Sequence, residues 1–257
     1  MLTGTTLQAA GLDAVALKPT ECDLGAADLE ADLVCIDYEG REHLPDPDTL
    51  RDLAADAEVR LTTPVRAAGF DPLGDDGLVD TIPEGVGRVL VAGHGAYLDD
   101  SEREKAVAPR LRAAAADCGA PWVGTESVER VALAVGGTQF ELLSRTTERD
   151  CRALRAAGFE GDLAVYAPVV LADDEGAVLD AVGAYAARRQ PVREALPADA
   201  PTDAAASGRA REVLSQAVRD YALVGTADDV REQADALRQA GADRVVAYPA
   251  QGPDALQ

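Results

Sequence analysis

Short apolar runs alternate along this chain with longer segments in which apolar side chains return every three or four residues. The runs fall at 13–17, 32–36, 59–63, 88–92, 121–124, 139–143, 162–166 and 244–248. Several have a continuous apolar centre, as in Leu33-Val34-Cys35-Ile36, which suits a parallel strand covered on both faces. The segments between them predict helices at 47–56, 100–117, 126–135, 146–157, 174–189, 209–220 and 227–240, with a shorter one near 24–31. The last unit carries its own punctuation. Thr226 is an N-cap, Asp228 and Asp229 suit the helix dipole, Val230, Ala234 and Leu237 share one face, and Gly241 stops the helix before the Arg244–Tyr248 strand.

Eight strands with helices between them predict a single (β/α)8 barrel of TIM type spanning residues 1–257. A doubly wound sheet would use six or seven strands, so the count favours the barrel. The Pro-, Ala- and Asp-rich stretch at 190–208 reads as an exposed linker inside that one domain.

Composition changes the picture mainly through charge. The chain has 46 acidic against 24 basic residues, a net charge of −22, and Lys18 and Lys105 are its only lysines. Acids this abundant and evenly spread predict a halophilic surface, because at molar salt the Debye length is about 3 Å and self-repulsion is screened. No basic stripe is present to neutralise phosphates, so a nucleic-acid partner is not expected. Cys22, Cys35, Cys118 and Cys151 lie far apart, which fits neither a zinc ribbon nor a disulfide framework. No apolar run reaches the length of a membrane span, and the N-terminus lacks a signal-peptide pattern, so a cytoplasmic protein without membrane contact is expected.

Several segments, in order, resemble the luciferase-like family of flavin- and deazaflavin-dependent oxidoreductases. They are Asp32–Glu39 with Asp46–Leu50, Val59–Val65, Gly87–Tyr97, Pro121-Trp-Val-Gly124, Ala164–Ala172 and Val224–Pro249. The resemblance implies a barrel enzyme that passes hydride between a deazaflavin coenzyme or FMN and a small organic substrate. It implies that Gly124, Thr125 and Ser127 hold the cofactor phosphate, and Thr62, Thr63 and Gly95 are taken to line the cofactor pocket. Only one helix fits between Tyr97 and Pro121, where the family carries a long covering segment, so the chain reads as a shortened member.

In a barrel, chemistry sits at the C-terminal ends of strands. That rule selects Lys18, Asp37, Glu39, Thr62, Thr63, His94, Tyr97, Thr125, Glu126 and Tyr166. His94, between Gly93 and Gly95, is the sharpest: the turn leaves its ring accessible, and an imidazole titrates near neutrality. Its competing reading is a turn histidine bonded to backbone. Glu39 is taken as a second catalytic group, although most carboxylates in so acidic a chain are merely solvated. Lys18 alone supports a Schiff-base barrel. A cofactor-free barrel acting as a binding or structural protein is the alternative to the oxidoreductase. The sequence does not fix the oligomer; a homodimer is among the options.

Overall fold

The computed structural model describes residues 4–25, 31–95 and 97–252. Chain order is α1 (Gly4–Ala9), β1 (Ala14–Leu17), β2 (Leu33–Ile36), α2 (Pro47–Asp56), β3 (Glu58–Pro64), β4 (Gly87–Val91), α3 (Asp100–Arg103) and α4 (Val107–Ala116). It continues with β5 (Trp122–Gly124), α5 (Glu129–Val135), β6 (Thr138–Leu142), α6 (Thr147–Ala156), β7 (Leu163–Val170) and α7 (Glu175–Ala187). The last elements are α8 (Gln190–Ala195), α9 (Gly208–Tyr221), β8 (Leu223–Val224), α10 (Ala227–Ala240) and β9 (Arg244–Pro249).

Every strand pairing is parallel, and β1 through β7 followed by β9 close into a ring of eight. The chain therefore folds as a (β/α)8 barrel, and the eight strands read from the sequence are the eight of the ring. The two-residue β8 is additional and hangs on the end of β7 at Val169 and Val170. It was too short to read from apolar pattern alone.

Successive side chains on each strand face opposite ways. Ala14, Ala16, Leu33, Cys35, Val89 and Phe140 pack inside the ring, with Ala164 and Val246. Their neighbours Val15, Leu17, Val34, Ile36, Val165 and Val245 pack outward among the helices. At the N-terminal end the guanidinium groups of Arg60 and Arg244 lie 4.6 and 5.8 Å from the Trp122 ring. The barrel is thus a filled core, and the open space lies at its other end.

Three of the expectations for the segments between strands shift, and a fourth lies mostly outside the described residues. The predicted helix 100–117 breaks into α3 and α4, because Pro109 has no N–H and its ring would clash with the carbonyl four residues back in one continuous helix. The predicted helix 126–135 begins only at Glu129, after a turn in which Val128 N–H bonds to Thr125 O. The stretch 190–208, read as an exposed linker, contains α8, and its Val192 and Ala206 are buried. It lies tight against α7: a Cβ on Gly183 would sit 2.1 Å from Thr202 O, so the two backbones touch only because position 183 is glycine. In the short helix expected near 24–31, residues 26–30 lie outside the described residues.

Among the described residues no helix is long and apolar enough to cross a membrane.

Candidate functional site

The C-terminal ends of the strands surround a cavity of about 400 Å³. Its wall includes Lys18 from the end of β1, Asp37, Tyr38 and Glu39 after β2, Thr62 on β3, His94 and Tyr97 after β4, Gly124 and Glu126 at β5, and Tyr166 on β7. Tyr185, Arg188 and Arg189, from the end of α7, complete the rim.

Asp37 is the carboxylate best placed for chemistry. Tyr166 Oη donates to its Oδ2 at 2.9 Å. Burial pushes the Asp37 carboxyl up to about 6, against the Tyr166 hydrogen bond and the charge of Lys18, which both favour the ionised form. The Tyr166 phenol is itself raised, first by burial and then by the Asp37 charge. Tyr166 stacks on Tyr248 with centroids 6.1 Å apart, and Lys18 Nζ stands 3.9 Å from the Tyr248 ring centre. Lys18 pairs with Glu21 at 3.3 Å, and Tyr248 donates to the same carboxylate at 2.7 Å. The lysine is therefore engaged by a carboxylate and an aromatic face.

Glu39 also faces the cavity, where it accepts from Thr20 N–H at 3.1 Å and from the Thr20 hydroxyl. Its observed job is to tie the segment after β1 to the segment after β2.

His94 lies exposed on the loop after β4, on the cavity wall and 6.4 Å from the Tyr97 ring. Gly93 has a left-handed φ of 92°, and a Cβ there would meet Leu98 at 2.8 Å, so the turn needs glycine. Arg66 fastens this loop: its Nε donates to Ala92 O at 2.6 Å, Nη2 to Gly93 O at 2.9 Å and Nη1 to Arg103 O at 2.8 Å. Tyr97 packs edge-on against Tyr38, and burial pushes its phenol to about 12.

The residues expected to hold or line a cofactor divide. Thr62 faces the cavity, but its hydroxyl accepts from Tyr38 N–H and donates to Ile36 O at 3.2 Å. Thr63 points to the opposite face of β3, fully buried, and accepts from Arg88 Nε at 3.3 Å. Period-two alternation makes it impossible for both threonines to face one pocket. Gly95 is exposed, and its carbonyl takes Arg103 Nη2 at 2.8 Å. Gly124 lies on the cavity wall. Thr125 is buried, with its N–H on Phe140 O at 3.1 Å and its hydroxyl on Glu141. Ser127 has a left-handed φ of 62° and stands before the seven-residue α5. The predicted phosphate cradle is thus a turn whose Thr125 donors are used internally, with the Glu126 carboxylate beside it.

Of the aromatic residues, the sequence singled out only Tyr97 and Tyr166, not the group. All six tyrosines lie at this end of the barrel: Tyr38, Tyr97, Tyr166 and Tyr185 on the wall, Tyr248 stacked on Tyr166, and Tyr221 beside Arg189. Phe140 joins them in edge contact with Tyr166. A signal was available, because aromatic residues make up only 4% of the chain and Tyr38, Tyr97, Tyr166 and Tyr248 lie in or just after strands. A larger cleft of about 650 Å³ lies outside the ring between α6, α9 and α10. Its Arg145, Arg149, Arg152 and Arg219 face Glu148, Asp220, Asp229 and Glu232, a solvated mixture of both signs with no aromatic residue, so the barrel mouth is the candidate site.

No curated protein matches the chain. Among solved structures, it is similar to an F420-dependent secondary alcohol dehydrogenase in complex with an F420-acetone adduct. The TM-score is 0.58 and the identity 11%, over 93% of this chain and 94% of that one. A likeness at that identity bears on the fold, and it agrees with the barrel described above. One family model, described as a family of unknown function (DUF7388), matches residues 7–256, and the chain belongs to that family.

Proposed function

We propose that this barrel is a luciferase-like oxidoreductase that takes a deazaflavin or flavin ring into its mouth and acts on a small organic carbonyl or alcohol. The observation that carries the reading is the concentration of tyrosines around one cavity that also holds the Asp37–Tyr166 pair. Flat π faces suit a planar heterocycle, with offset or edge-on contacts each contributing about 0.5–1.5 kcal/mol beyond area burial. The similarity to the F420-dependent dehydrogenase points the same way.

The residues fit the ring better than they fit the phosphate turn. The cavity is of ligand size, with polar groups set in an aromatic wall. The bound ring would supply the hydride acceptor or donor. The chain's own part is the proton. Reduction of a carbonyl adds hydride to carbon and a proton to oxygen, and alcohol oxidation reverses both. Asp37, whose carboxyl burial pushes up to about 6, can give or take that proton in mildly acidic solution and near neutrality, and Tyr166 orients the carboxyl through its hydrogen bond. His94, from the loop after β4, would contact the ring edge.

A second reading, a cofactor-free barrel that acts as a binding or structural protein, is favoured by one observation: the donors of Thr125 are spent and Glu126 stands where an anion was expected. Absorbance of the purified protein, followed by titration with F420 and FMN, separates the two. Saturable micromolar binding of either supports the oxidoreductase. A folded protein that binds neither leaves the second reading.

A further inference from the structure

The cavity has a charged rim as well as an aromatic wall. Arg188 is the C-cap of α7 and Arg189 the N-cap of α8, and both lie on the cavity wall. Arg189 Nη1 reaches Glu126 Oε1, on the turn after β5, at 3.3 Å. Its guanidinium carbon lies 4.6 Å from the Tyr185 ring centre and 5.6 Å from that of Tyr221, and Nη2 donates to the Tyr185 hydroxyl. Two rings thus hold the planar cation in place before any ligand arrives. Arg188 lies 5.6 Å from the Tyr185 ring and, among the described residues, forms no ion pair.

The other charges of the cavity have partners of their own: Asp37 has Tyr166, Glu39 has Thr20, and Lys18 has Glu21. Glu126 differs from them, being about half exposed and held by Arg189 across the rim. An ion pair so open to water contributes little and exchanges readily. The residue after it, Ser127, keeps a left-handed φ of 62°, a conformation that carries a cost outside glycine and gathers at ligand clamps.

We infer that the molecule filling this cavity bears an anionic group, a carboxylate or a phosphate, which displaces Glu126 and is clamped by Arg188 and Arg189. Glu126 acts as the internal stand-in for that group, since its carboxylate already meets the Arg189 guanidinium at 3.3 Å. In a chain of net charge −22 the long-range field repels anions, so an anionic ligand needs cations fixed at the site itself. This deepens the reading above by naming the ligand's charge, and it rests on the barrel mouth being the binding site. The anion is carried either by the cofactor tail or by the substrate.

The test uses two pairs of probes that differ only in charge or nearly so, at one fixed ionic strength. FMN and riboflavin share a ring and differ by a phosphate; pyruvate and acetone share a ketone and differ by a carboxylate. Affinities are measured by flavin fluorescence and by saturation-transfer NMR for the full chain, Arg188→Ala, Arg189→Ala, the double variant and Glu126→Gln, with circular dichroism to confirm folding. The anionic member of at least one pair should bind tenfold or more tightly. The double arginine variant should erase that preference, and Glu126→Gln should strengthen anion binding severalfold. Preference for FMN places the anion on the cofactor, and preference for pyruvate places it on the substrate. Equal binding within both pairs, a preference that survives loss of both arginines, or no binding of either anion overturns the clamp. If both flavins bind equally well, the clamp fails while the cofactor reading stands. If neither flavin binds but pyruvate does so through the arginines, the clamp stands and the cofactor reading fails.

Discussion

Tyr166 donates a 2.9 Å hydrogen bond to Asp37 across the mouth of the barrel, joining β7 to the end of β2 over 129 residues of sequence. Neither partner has water on all sides, so the pair sets its own proton affinity. Burial favours the neutral carboxyl, the phenol favours the carboxylate, and burial wins. A carboxyl of this kind exchanges a proton near neutrality, where an ordinary aspartate is fully ionised.

That balance has a stability consequence. The folded-state pKa of Asp37, about 6, lies above its ordinary value of 3.8, so the unfolded chain ionises first. Below pH 4 the group contributes nothing; stability then falls as pH rises to about 6 and stays reduced above it. Asp37→Asn should remove this slope and stabilise the protein at pH 7 by roughly 1–2 kcal/mol, less than the full shift implies because the cavity admits water. Urea melts at pH 4, 5 and 7 measure it. Turnover should fall by about 10²–10⁴-fold in the same variant. Carbonyl reduction should decline above pH 6, and Tyr166→Phe, by removing the bond that favours ionisation, should move that limb to higher pH. An unmoved limb would take Tyr166 out of the proton step.

The barrel was legible because each of the eight ring strands leaves a short apolar run, several with the continuous centre of a parallel strand buried on both faces. The site was less legible. Strand-end position picked Asp37, His94 and Tyr166, which lie on the cavity wall, but it cannot say which side a residue faces, and Thr62 and Thr63 show the cost. It also cannot see that Thr125 spends its donors on Phe140 and Glu141, because those partners come from the next strand. Tyr185, Arg188 and Arg189 escaped because they end a helix, about twenty residues past the strand, and reach the mouth only through the way α7 packs.

His94→Ala should separate contact from chemistry. The ring is exposed on a loop that Arg66 fastens through backbone carbonyls, so its loss should change stability by less than about 1 kcal/mol. With Asp37 carrying the proton, cofactor affinity should weaken while turnover of the bound complex stays within about tenfold. A fall of about 10²–10⁴-fold with unchanged affinity would instead assign the proton step to His94. Paired measurements of Kd and single-turnover rate decide it.

Arg66 is the positioning residue for that loop. Arg66→Met removes three donors from the carbonyls of Ala92, Gly93 and Arg103 at once. Bonds from a charged donor contribute about 1.5–3 kcal/mol each at best, and these carbonyls regain some water, so a loss of about 2–3 kcal/mol in total is expected. Ligand affinity should fall with it, because the His94 and Tyr97 side of the cavity loses its anchor. Arg66→Lys should recover only part of either effect, since an ammonium cannot reproduce the fork. Full recovery by lysine would mean that charge, rather than the three-point geometry, holds the loop.

Salt should act on the whole surface. Many of the ion pairs join residues three or four apart on exposed helix faces, such as Arg51 with Asp48 and Arg152 with Glu148. Pairs of this type contribute about 0–1 kcal/mol each, and salt weakens them. Against them stand 46 acids with only 24 basic residues, an excess of 22 carboxylates. Dilution from molar salt to about 0.1 M lengthens the Debye length from about 3 to about 10 Å, so repulsion among those carboxylates grows faster than the pairs strengthen. The melting temperature should therefore fall on dilution, and sucrose, which does not screen charge, should not substitute for the missing salt. A melting temperature that stays constant across that range, or that sucrose restores as well as potassium chloride does, would show that the acidic surface is not an adaptation to molar salt.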